Sequence, residues 1–194
     1  MEDATNQERE GWLVLRAQSG DREALDDLLK AVQGPLYRYV SRLAGEPDLA
    51  RDILQEVFII IYRKLRWLKD PELFRPWAYR IASREAFKRL KRERRWLEQV
   101  RDESVLDRLP APRDLEGRDR EGFMPEMVEH LPRFMASVSP ASRAVLILHY
   151  FEEMPLSEIA VVLQIAPGTV KSRLAYGLES LRRAIRKEGL ESDM

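Results

Sequence analysis

The stretch that decides the fold runs Leu156-Ser157-Glu158-Ile159-Ala160-Val161-Val162-Leu163-Gln164-Ile165-Ala166-Pro167-Gly168-Thr169-Val170-Lys171-Ser172-Arg173-Leu174. Its pattern predicts a short helix capped by Ser157, a turn, and a longer helix beginning at Pro167, where a proline loses no helical hydrogen bond. Gln164 stands in the turn, at a position where such turns often use glycine for a positive φ. The longer helix keeps apolar residues at a 3.6-residue period: Val170, Leu174, Leu178, Leu181 and Ile185. We therefore predict a helix-turn-helix.

The other side of the longer helix is polar and mostly basic. A helix with one apolar stripe and one basic stripe suits the major groove of DNA, where its first turns contact base edges and its sides contact phosphates. A helical hairpin that serves only core packing is the alternative that this stretch leaves open. The polar side consists of Lys171, Ser172, Arg173, Tyr176, Arg182, Arg183, Arg186 and Lys187.

Composition argues against several classes of function. The chain of 194 residues contains no cysteine, which excludes disulfides and thiolate metal sites and favours a reducing compartment. Its two histidines, His130 and His149, lack the spacing of a metal site. The sequence has no glycine-rich phosphate loop and no nucleophile beside a base. We therefore expect no catalytic residue, no metal, no cofactor and no enzymatic activity.

Hydropathy and the N-terminal residues predict the cellular location of the protein. No apolar run approaches the length of a membrane span. Residues 1–10 are polar and mostly acidic, unlike a signal peptide. We expect a cytoplasmic protein without membrane insertion.

The charges cancel overall but are segregated along the chain. Nine basic residues lie between Arg75 and Arg95 against two acidic ones, whereas acids exceed bases in residues 98–126. Residues 101–122 are rich in charge, proline and glycine and have little periodicity, which predicts a flexible linker. The chain is therefore predicted to be all-α, with two small helical domains at residues 1–100 and 123–194 joined by this linker.

Helix signals subdivide both domains. In the first, we expect Asp21 and Asp48 to act as caps, a new helix to open at Gly34-Pro35, and residues 69–76 to form a loop. In the second, Pro132 should kink or delay the helix of residues 123–138, and Ser139-Pro140 should start the next one. The other predicted helices of the first domain span residues 12–18, 22–33, 49–68 and 77–100.

The predicted helix of residues 49–68 has two distinct faces. Its inner face carries Ala50, Ile53, Leu54, Val57, Ile61 and Leu65. A second row at helical spacing is polar with one apolar residue set in it: Asp52, Gln55, Glu56, Ile59 and Arg63. From the pattern alone, this row is either a solvated face or a docking surface for another protein.

The predicted helix of residues 77–100 carries a basic stripe with two aromatic residues, Trp77 and Phe87, beside it. Cations beside aromatic rings suit unpaired nucleic acid, because the cations bind phosphates and the rings stack on bases. Burial of both rings against a neighbouring helix, and a basic face that is merely solvated, are the alternatives. The stripe consists of Arg80, Arg84, Lys88, Lys91 and Arg95.

Three segments, in this order, resemble the bacterial RNA polymerase sigma factors of the sigma-70 family. Residues 19–29 with Asp48-Leu49-Ala50-Arg51-Asp52-Ile53-Leu54-Gln55-Glu56-Val57-Phe58 resemble the core-binding part. Phe74-Arg75-Pro76-Trp77-Ala78-Tyr79-Arg80-Ile81-Ala82 resembles the promoter-melting part. Gly168-Thr169-Val170-Lys171-Ser172-Arg173-Leu174 resembles the reader of the upstream promoter element. The short two-domain layout is similar to the extracytoplasmic-function (ECF, group IV) type.

The resemblance implies a role for each domain. The first, sigma region 2, would dock on the clamp helices of the largest polymerase subunit through Asp52, Gln55, Glu56 and Ile59. Residues 68–76 and the basic helix would bind the melted minus-ten element through Trp77, Arg80, Arg84, Phe87, Lys88, Lys91 and Arg95. The second, sigma region 4, would lie near the flap of the second-largest subunit. It would read the minus-thirty-five duplex through Thr169, Lys171, Ser172, Arg173 and Tyr176. The implied partners are core RNA polymerase, promoter DNA and an anti-sigma factor.

The chain also departs from the family pattern. Arg84 stands where many members have asparagine, and Ala175 and Tyr176 replace bulkier or basic residues, so we expect an unusual promoter preference. The main alternative function is a stand-alone helix-turn-helix regulator that binds duplex DNA without polymerase. That alternative predicts a dimer, yet the sequence has no obvious dimerisation heptad. A sigma-like protein that binds polymerase without melting promoters is a further alternative, which only Arg84 supports.

Overall fold

The computed structural model describes the backbone of residues 2–97 and 133–187, and the side chains of residues 8–93 and 133–187. The described residues form α-helices, short 3-10 turns and connecting segments without any β-strand, which confirms the all-α prediction. The chain divides into two compact units, Met1–Leu90 and Lys91–Met194. The predicted linker, residues 101–122, and both predicted domain boundaries lie outside the described residues.

Four helices build the first unit: α1 (Glu2–Gln18), α2 (Arg22–Ala44), α3 (Pro47–Lys64) and α4 (Phe74–Leu97), the last of which continues beyond Leu90. Two 3-10 turns, Leu65–Trp67 and Pro71–Leu73, connect α3 to α4. Helix α2 packs against both α1 and α3. Its fully buried residues, which form the centre of this core, are Ala24, Leu28, Leu36, Tyr39, Val40 and Leu43.

Helix α2 is continuous across Pro35, so the prediction of a new helix at Gly34-Pro35 is wrong. A proline inside a helix removes the hydrogen bond to the carbonyl four residues earlier, here that of Ala31. Ala31 is exposed, so this turn of the helix is in contact with solvent. The apolar stripe keeps its period from Leu28 to Leu43, and its burial on both sides of Pro35 stabilises the continuous helix.

The helix ends test the predicted caps. Asp21 caps α2 as predicted, because its Oδ1 accepts a hydrogen bond from the Ala24 N–H at 3.0 Å. Asp48 does not cap α3, since that helix already begins at Pro47, a favourable first residue, and Asp48 lies in its first turn. Helix α4 begins before the predicted Trp77, because Pro76 lies in the first turn, where its missing N–H costs nothing.

Polar side chains connect the helices of the first unit. Glu10 on α1 is 3% exposed, and its carboxylate accepts hydrogen bonds at 2.7 and 3.3 Å from Arg75 on α4. The buried hydroxyls of Tyr39 on α2 and Ser83 on α4 are hydrogen-bonded at 2.7 Å. The Tyr39 ring also meets the Tyr79 ring edge to face at 5.3 Å. These contacts fix the N-terminal half of α4 against α1 and α2.

The second unit contains α5 (Pro140–Tyr150), α6 (Leu156–Leu163) and α7 (Pro167–Lys187), preceded by helical residues 133–136. Ser139 caps α5 as predicted, with its hydroxyl 3.3 Å from the Ser142 N–H. Ser157 does not cap α6, because the extended Pro155 ends the preceding segment and the helix begins at Leu156. Pro132 and the predicted helix of residues 123–132 lie outside the described residues.

Close packing of α5 on α7 defines the core of this unit. A Cβ atom on Gly177 would lie 2.7 Å from Leu146 Cδ1 and 2.9 Å from Leu146 Cγ, so any larger residue here would force the Leu146 side chain to shift. Arg143 on α5 is 8% exposed and donates hydrogen bonds to the carbonyls of Ala136 and Val138 at 3.1 and 2.9 Å. Burial lowers the pKa of this guanidinium, but the two carbonyls solvate its charge.

Candidate functional sites

The second row of α3 is exposed throughout, whereas the predicted inner face is buried. Ile59 is 37% exposed, and the adjacent Tyr62 is 68% exposed. With Gln55, Phe58 and Arg63, these two residues line a shallow groove on the surface of α3. The sequence prediction missed Phe58 and Tyr62, although Tyr62 lies two helical turns after Gln55 and so extends the same row.

The polar end of this row already has a partner within the unit. The Arg89 guanidinium of α4 lies 3.4 Å from the Asp52 carboxylate. The partly exposed pair links α3 to α4 and is weak in solvent. Of the four predicted contact residues, Asp52 is thus paired within the unit. The other three, Gln55, Glu56 and Ile59, are exposed and form no ion pair among the described side chains.

The connection between α3 and α4 is built from 3-10 turns rather than an irregular loop. The Gln18 side chain donates hydrogen bonds of 2.8 Å to both the Leu65 and the Leu68 carbonyl. Asp70 accepts a hydrogen bond from the Glu72 N–H and so caps the second turn. The backbone of the connection is thereby held in place, while Trp67 (59% exposed) and Leu73 (49% exposed) project outward.

Basic residues of α4 are paired with carboxylates both within the basic stripe and before it. Lys88 pairs with Glu85 at 3.1 Å on the same helix, and Arg75 pairs with the buried Glu10. Arg84 and Lys91 are exposed and form no ion pair with a described carboxylate. The side chain of Arg95 lies outside the described residues.

The two aromatic residues beside the stripe are half-buried, which lies between the two predicted alternatives. The Trp77 ring is tilted against the fully buried Phe74, with 6.1 Å between ring centroids. Phe87 has a similar intermediate exposure. Arg80 between them is also half-buried, and its Nε atom has no hydrogen-bond partner among the described atoms. Each of these two aromatic residues is therefore partly packed and partly accessible to solvent.

The helix-turn-helix forms with the predicted turn. Gln164 adopts φ 55° and ψ 45°, the left-handed conformation expected at its position, and the Gln164 and Ile165 N–H groups both donate to the Ala160 carbonyl. Pro167 begins α7 as predicted. Backbone hydrogen bonds in the turn compensate for the cost of a positive φ in a residue other than glycine.

The predicted upstream-element residues do not all share one face of α7. At about 100° per residue, Thr169, Ser172, Arg173 and Tyr176 lie within an arc of about 100°, whereas Lys171 lies about 100° outside it. The four residues of the arc are half-buried and Lys171 is exposed. Burial lowers the pKa of Arg173. Ala175 is 6% exposed, so it belongs to the core and its small size says nothing about base preference.

The described residues lack two other kinds of feature. They contain no helix that is long and apolar enough to cross a membrane. They also contain no cluster of three or more histidine, aspartate or glutamate residues arranged to hold a metal ion. The surfaces described above are therefore the candidate sites of the described residues.

Comparison with known proteins identifies domain families in both units. The family Sigma-70 region 2 matches residues 28–96, and the family Sigma-70, region 4 matches residues 128–181. The RNA polymerase sigma-H factor of Pseudomonas aeruginosa is 30% identical over 183 residues, which cover 92% of this chain and 95% of that protein. The ECF RNA polymerase sigma factor SigW of Bacillus subtilis is 27% identical over 186 residues, which cover 89% and 95%.

Two solved structures share the fold. CnrH in complex with the cytosolic domain of CnrY aligns with a TM-score of 0.66 at 18% identity, covering 92% of this chain and 98% of that one. RpoE of Bartonella quintana, a sigma factor in complex with the anti-sigma factor NepR, aligns with a TM-score of 0.64 at 19% identity, covering 87% and 98%. At these identities, the likeness concerns the fold alone.

Proposed function

The chain belongs to the extracytoplasmic-function type of the sigma-70 family of RNA polymerase sigma factors and directs transcription initiation, and on this premise we propose a division of labour between its surfaces. The first unit, sigma region 2, binds core RNA polymerase and the melted minus-ten element. The second unit, sigma region 4, reads the minus-thirty-five element as duplex. We also propose that the first domain ends at residue 100, that the second begins at residue 123, and that a flexible linker joins them.

The observation that carries the proposal is the exposed row on α3. A helix whose inner face is fully used in the core would ordinarily present solvated polar residues on its other side. Here Ile59 and Tyr62 are exposed beside Gln55 and Glu56, an apolar centre with a polar rim. Protein interfaces have this composition. We assign Asp52, Gln55, Glu56 and Ile59, extended by Tyr62, to the clamp helices of the largest polymerase subunit.

Binding of the labelled, purified chain to core RNA polymerase without DNA tests this assignment. We expect a complex at sub-micromolar concentration, and we expect Ile59→Asp to weaken it by about tenfold or more, as at an interface hot spot. Ala31→Asp, on an exposed position of α2, is the matched control. No complex with core polymerase, together with tight and specific binding to free duplex, would favour the stand-alone regulator instead.

The basic stripe of α4 supports the second part of the proposal. Duplex opening costs a few kcal/mol per flipped base, so melted bases need both phosphate contacts and stacking surfaces. We assign this role to the 68–76 connection and to Trp77, Arg80, Arg84, Phe87, Lys88, Lys91 and Arg95. Support comes from the exposed cations Arg84 and Lys91 and from the partial exposure of Trp77 and Phe87.

The double variant Lys88→Ala/Lys91→Ala separates a promoter-melting factor from a polymerase-binding protein that does not melt DNA. We expect it to bind core polymerase normally but to form open complexes poorly, as measured by permanganate reactivity of unpaired thymines. Lys30→Ala/Arg38→Ala removes two exposed cations from α2 and is the control, because Lys30, like Lys88, pairs with an acid three residues earlier. Equal open-complex formation by both double variants would exclude the stripe from promoter melting.

For the upstream element, we propose that Thr169, Ser172, Arg173 and Tyr176 face the groove and that Lys171 contacts the backbone at its edge. Selection of duplex sequences by the holoenzyme tests this. Tyr176→Ala should change which bases are selected. Lys171→Ala should lower the affinity for all duplex sequences alike and reduce the salt dependence of that affinity. We further propose a cytoplasmic location, a contact with the flap of the second-largest subunit, and an anti-sigma partner that covers both units.

A further inference from the structure

Four exposed cations flank one tryptophan in the sequence at the end of α3. Arg63, Lys64, Arg66 and Lys69 lie within seven residues of one another, and all four are exposed. None of them forms an ion pair with a carboxylate among the described side chains, in contrast to Arg75 and Lys88 of α4. We name these four residues and Trp67 the Trp67 cluster.

The ring of Trp67 is available for stacking. The residue is 59% exposed, and the guanidinium of Arg66 lies over the ring at 4.0 Å from its centroid. This cation–π contact orients the indole from one side without burying it. The sequence led us to expect stacking by Trp77 and Phe87. Both residues are half-buried and therefore expose a smaller fraction of their surface than Trp67 does.

The backbone beneath the ring is held in place. Gln18 binds the carbonyls on both sides of Trp67, those of Leu65 and Leu68, at 2.8 Å each. Leu65 is 4% exposed and anchors the turn in the core. A stacking surface on a fixed backbone loses little conformational entropy when a ligand binds.

From this arrangement we infer that Trp67 stacks on an unpaired promoter base, while the cations of the Trp67 cluster bind the adjoining phosphates. The inference rests on the proposed function and adds a residue to its strand-binding surface, directly before the 68–76 connection. Four cations without acidic partners complement a polyanion, whereas the centre of a protein interface is depleted of charge. The cluster therefore fits single-stranded DNA better than a polymerase subunit.

The chain contains a matched control for this inference. Trp12 on α1 is 57% exposed and also lies under an arginine, with the Arg16 guanidinium 4.6 Å from its ring centroid. The two tryptophans thus share residue type, exposure and a cation–π contact. They differ in the charges nearby in the sequence. Within four residues, Trp12 has two acidic and two basic neighbours, whereas Trp67 has four basic neighbours and one acidic neighbour, Asp70.

The test compares holoenzymes that contain the wild-type chain, Trp67→Ala, Trp67→Phe or Trp12→Ala. The template is a promoter selected by the wild-type holoenzyme, with its minus-ten element opened in advance by mismatches so that melting is not measured. We expect Trp67→Ala to weaken template binding by about fivefold or more, which is the loss of one base–aromatic stack. Trp67→Phe should retain most of the affinity, and Trp12→Ala should match the wild type.

A fluorescent base adds a readout that a purely structural role would not change. With 2-aminopurine placed at successive positions of the non-template strand, stacking on Trp67 should quench one position, and that position should brighten only in Trp67→Ala. Equal template binding by Trp67→Ala and Trp12→Ala, with normal promoter opening by the wild type, would overturn the inference and leave the proposed function intact.

Two further outcomes would also overturn it. A loss of core-polymerase affinity in Trp67→Ala alone would place Trp67 in the polymerase interface. Failure of the wild-type chain to bind core polymerase at all would reject the proposed function, and this inference with it.

Discussion

The two units hold their helices together by different means. In the first, polar side chains bridge the helices: the buried Glu10 binds Arg75, the Tyr39 hydroxyl binds Ser83, and Gln18 binds two backbone carbonyls. In the second, α5 and α7 approach closely enough to exclude a Cβ atom at Gly177. The difference teaches that polar contacts between helices help to position α1, α2 and α4 of the first unit, whereas α5 and α7 of the second unit meet by close steric fit.

The units also differ in the apolar surface that they expose. Six of the seven large apolar residues exposed among the described side chains belong to the first unit: Trp12, Leu15, Ile59, Tyr62, Trp67 and Leu73. Only Val161 belongs to the second. Exposed apolar surface is typical of protein and base-stacking partners, whereas a groove-reading helix relies on polar contacts. The contrast matches the proposed division between polymerase and melted DNA on one side and duplex DNA on the other.

We expect the largest effect when the ion pair between Glu10 and Arg75 in the first unit is broken. Arg75→Met leaves the carboxylate of Glu10 buried without its cation, which should destabilise the first unit by about 3 kcal/mol. Urea unfolding followed by circular dichroism measures the loss. Arg92→Met, which removes an exposed cation from the same helix, should change stability by less than about 0.5 kcal/mol. Equal unfolding midpoints for the two variants would show that the bridge does not stabilise the unit.

A smaller loss is expected at the close contact of the second unit. Gly177→Ala places a methyl group against Leu146 and should destabilise by about 1–2 kcal/mol, even though alanine favours a helix by about 1 kcal/mol over glycine. Gly168→Ala is the control, because nothing lies within 4 Å of its added Cβ. It should leave stability unchanged or raise it. A stabilised Gly177→Ala variant would mean that Leu146 moves freely and that steric fit does not position α7.

Removal of the Tyr39 hydroxyl should destabilise the protein less than either of the changes above. Tyr39→Phe abolishes the 2.7 Å hydrogen bond to Ser83, but Ser83 still donates to the Tyr79 carbonyl at 2.7 Å, so no donor is stranded. We expect a loss of about 1 kcal/mol in thermal or urea unfolding. Tyr37→Phe, at a half-buried position of the same helix, is the comparison. If the two changes have equal effects, the buried hydroxyl pair does not help to position α4.

The smallest effect concerns the cap of α2 and depends on pH. The hydrogen bond from the Ala24 N–H, followed by that from Arg16, lowers the pKa of Asp21 below its ordinary 3.8. The folded state therefore binds this proton less readily than the unfolded state, so the stabilisation is present above pH 3.8 and disappears as the pH falls through the folded pKa. Asp21→Ala should lower stability near neutral pH and converge with the wild type in acid. Asp26→Ala, on the exposed side of α2, is the control and should change stability little near neutral pH, because Asp26 caps no helix.

Sequence patterns were sufficient for features that depend on neighbouring residues. The cap at Asp21, the cap-then-proline start at Ser139-Pro140, the start of α7 at Pro167 and the buried stripe from Val170 to Leu181 all involve residues within a few positions of one another. Hydrogen bonds and apolar periods over such distances are local properties. The stability of α2 across Pro35 is not local, because packing against α1 and α3 outweighs the missing hydrogen bond, and the prediction failed there.

The candidate sites show the same limit. The α3 row was predictable, because one helix displays it, and its exposed apolar residue was visible as an exception to the pattern. The pairing of Arg75 with Glu10 was not, because the two residues are 65 positions apart and nothing in the sequence indicates that α1 crosses the start of α4. Trp67 carried no periodic signal either, since it lies in a 3-10 turn whose position depends on Gln18 from another helix.

The sequence by itself determined the all-α class, the helix-turn-helix, the basic stripe and the family, because these depend on spacing along the chain. Only the tertiary structure decided which charges are neutralised internally, which glycine is required by a neighbouring leucine, and which aromatic ring is exposed. Burial and ion pairing are set by side chains that come from distant positions, and their free energies depend on distances that no local pattern specifies.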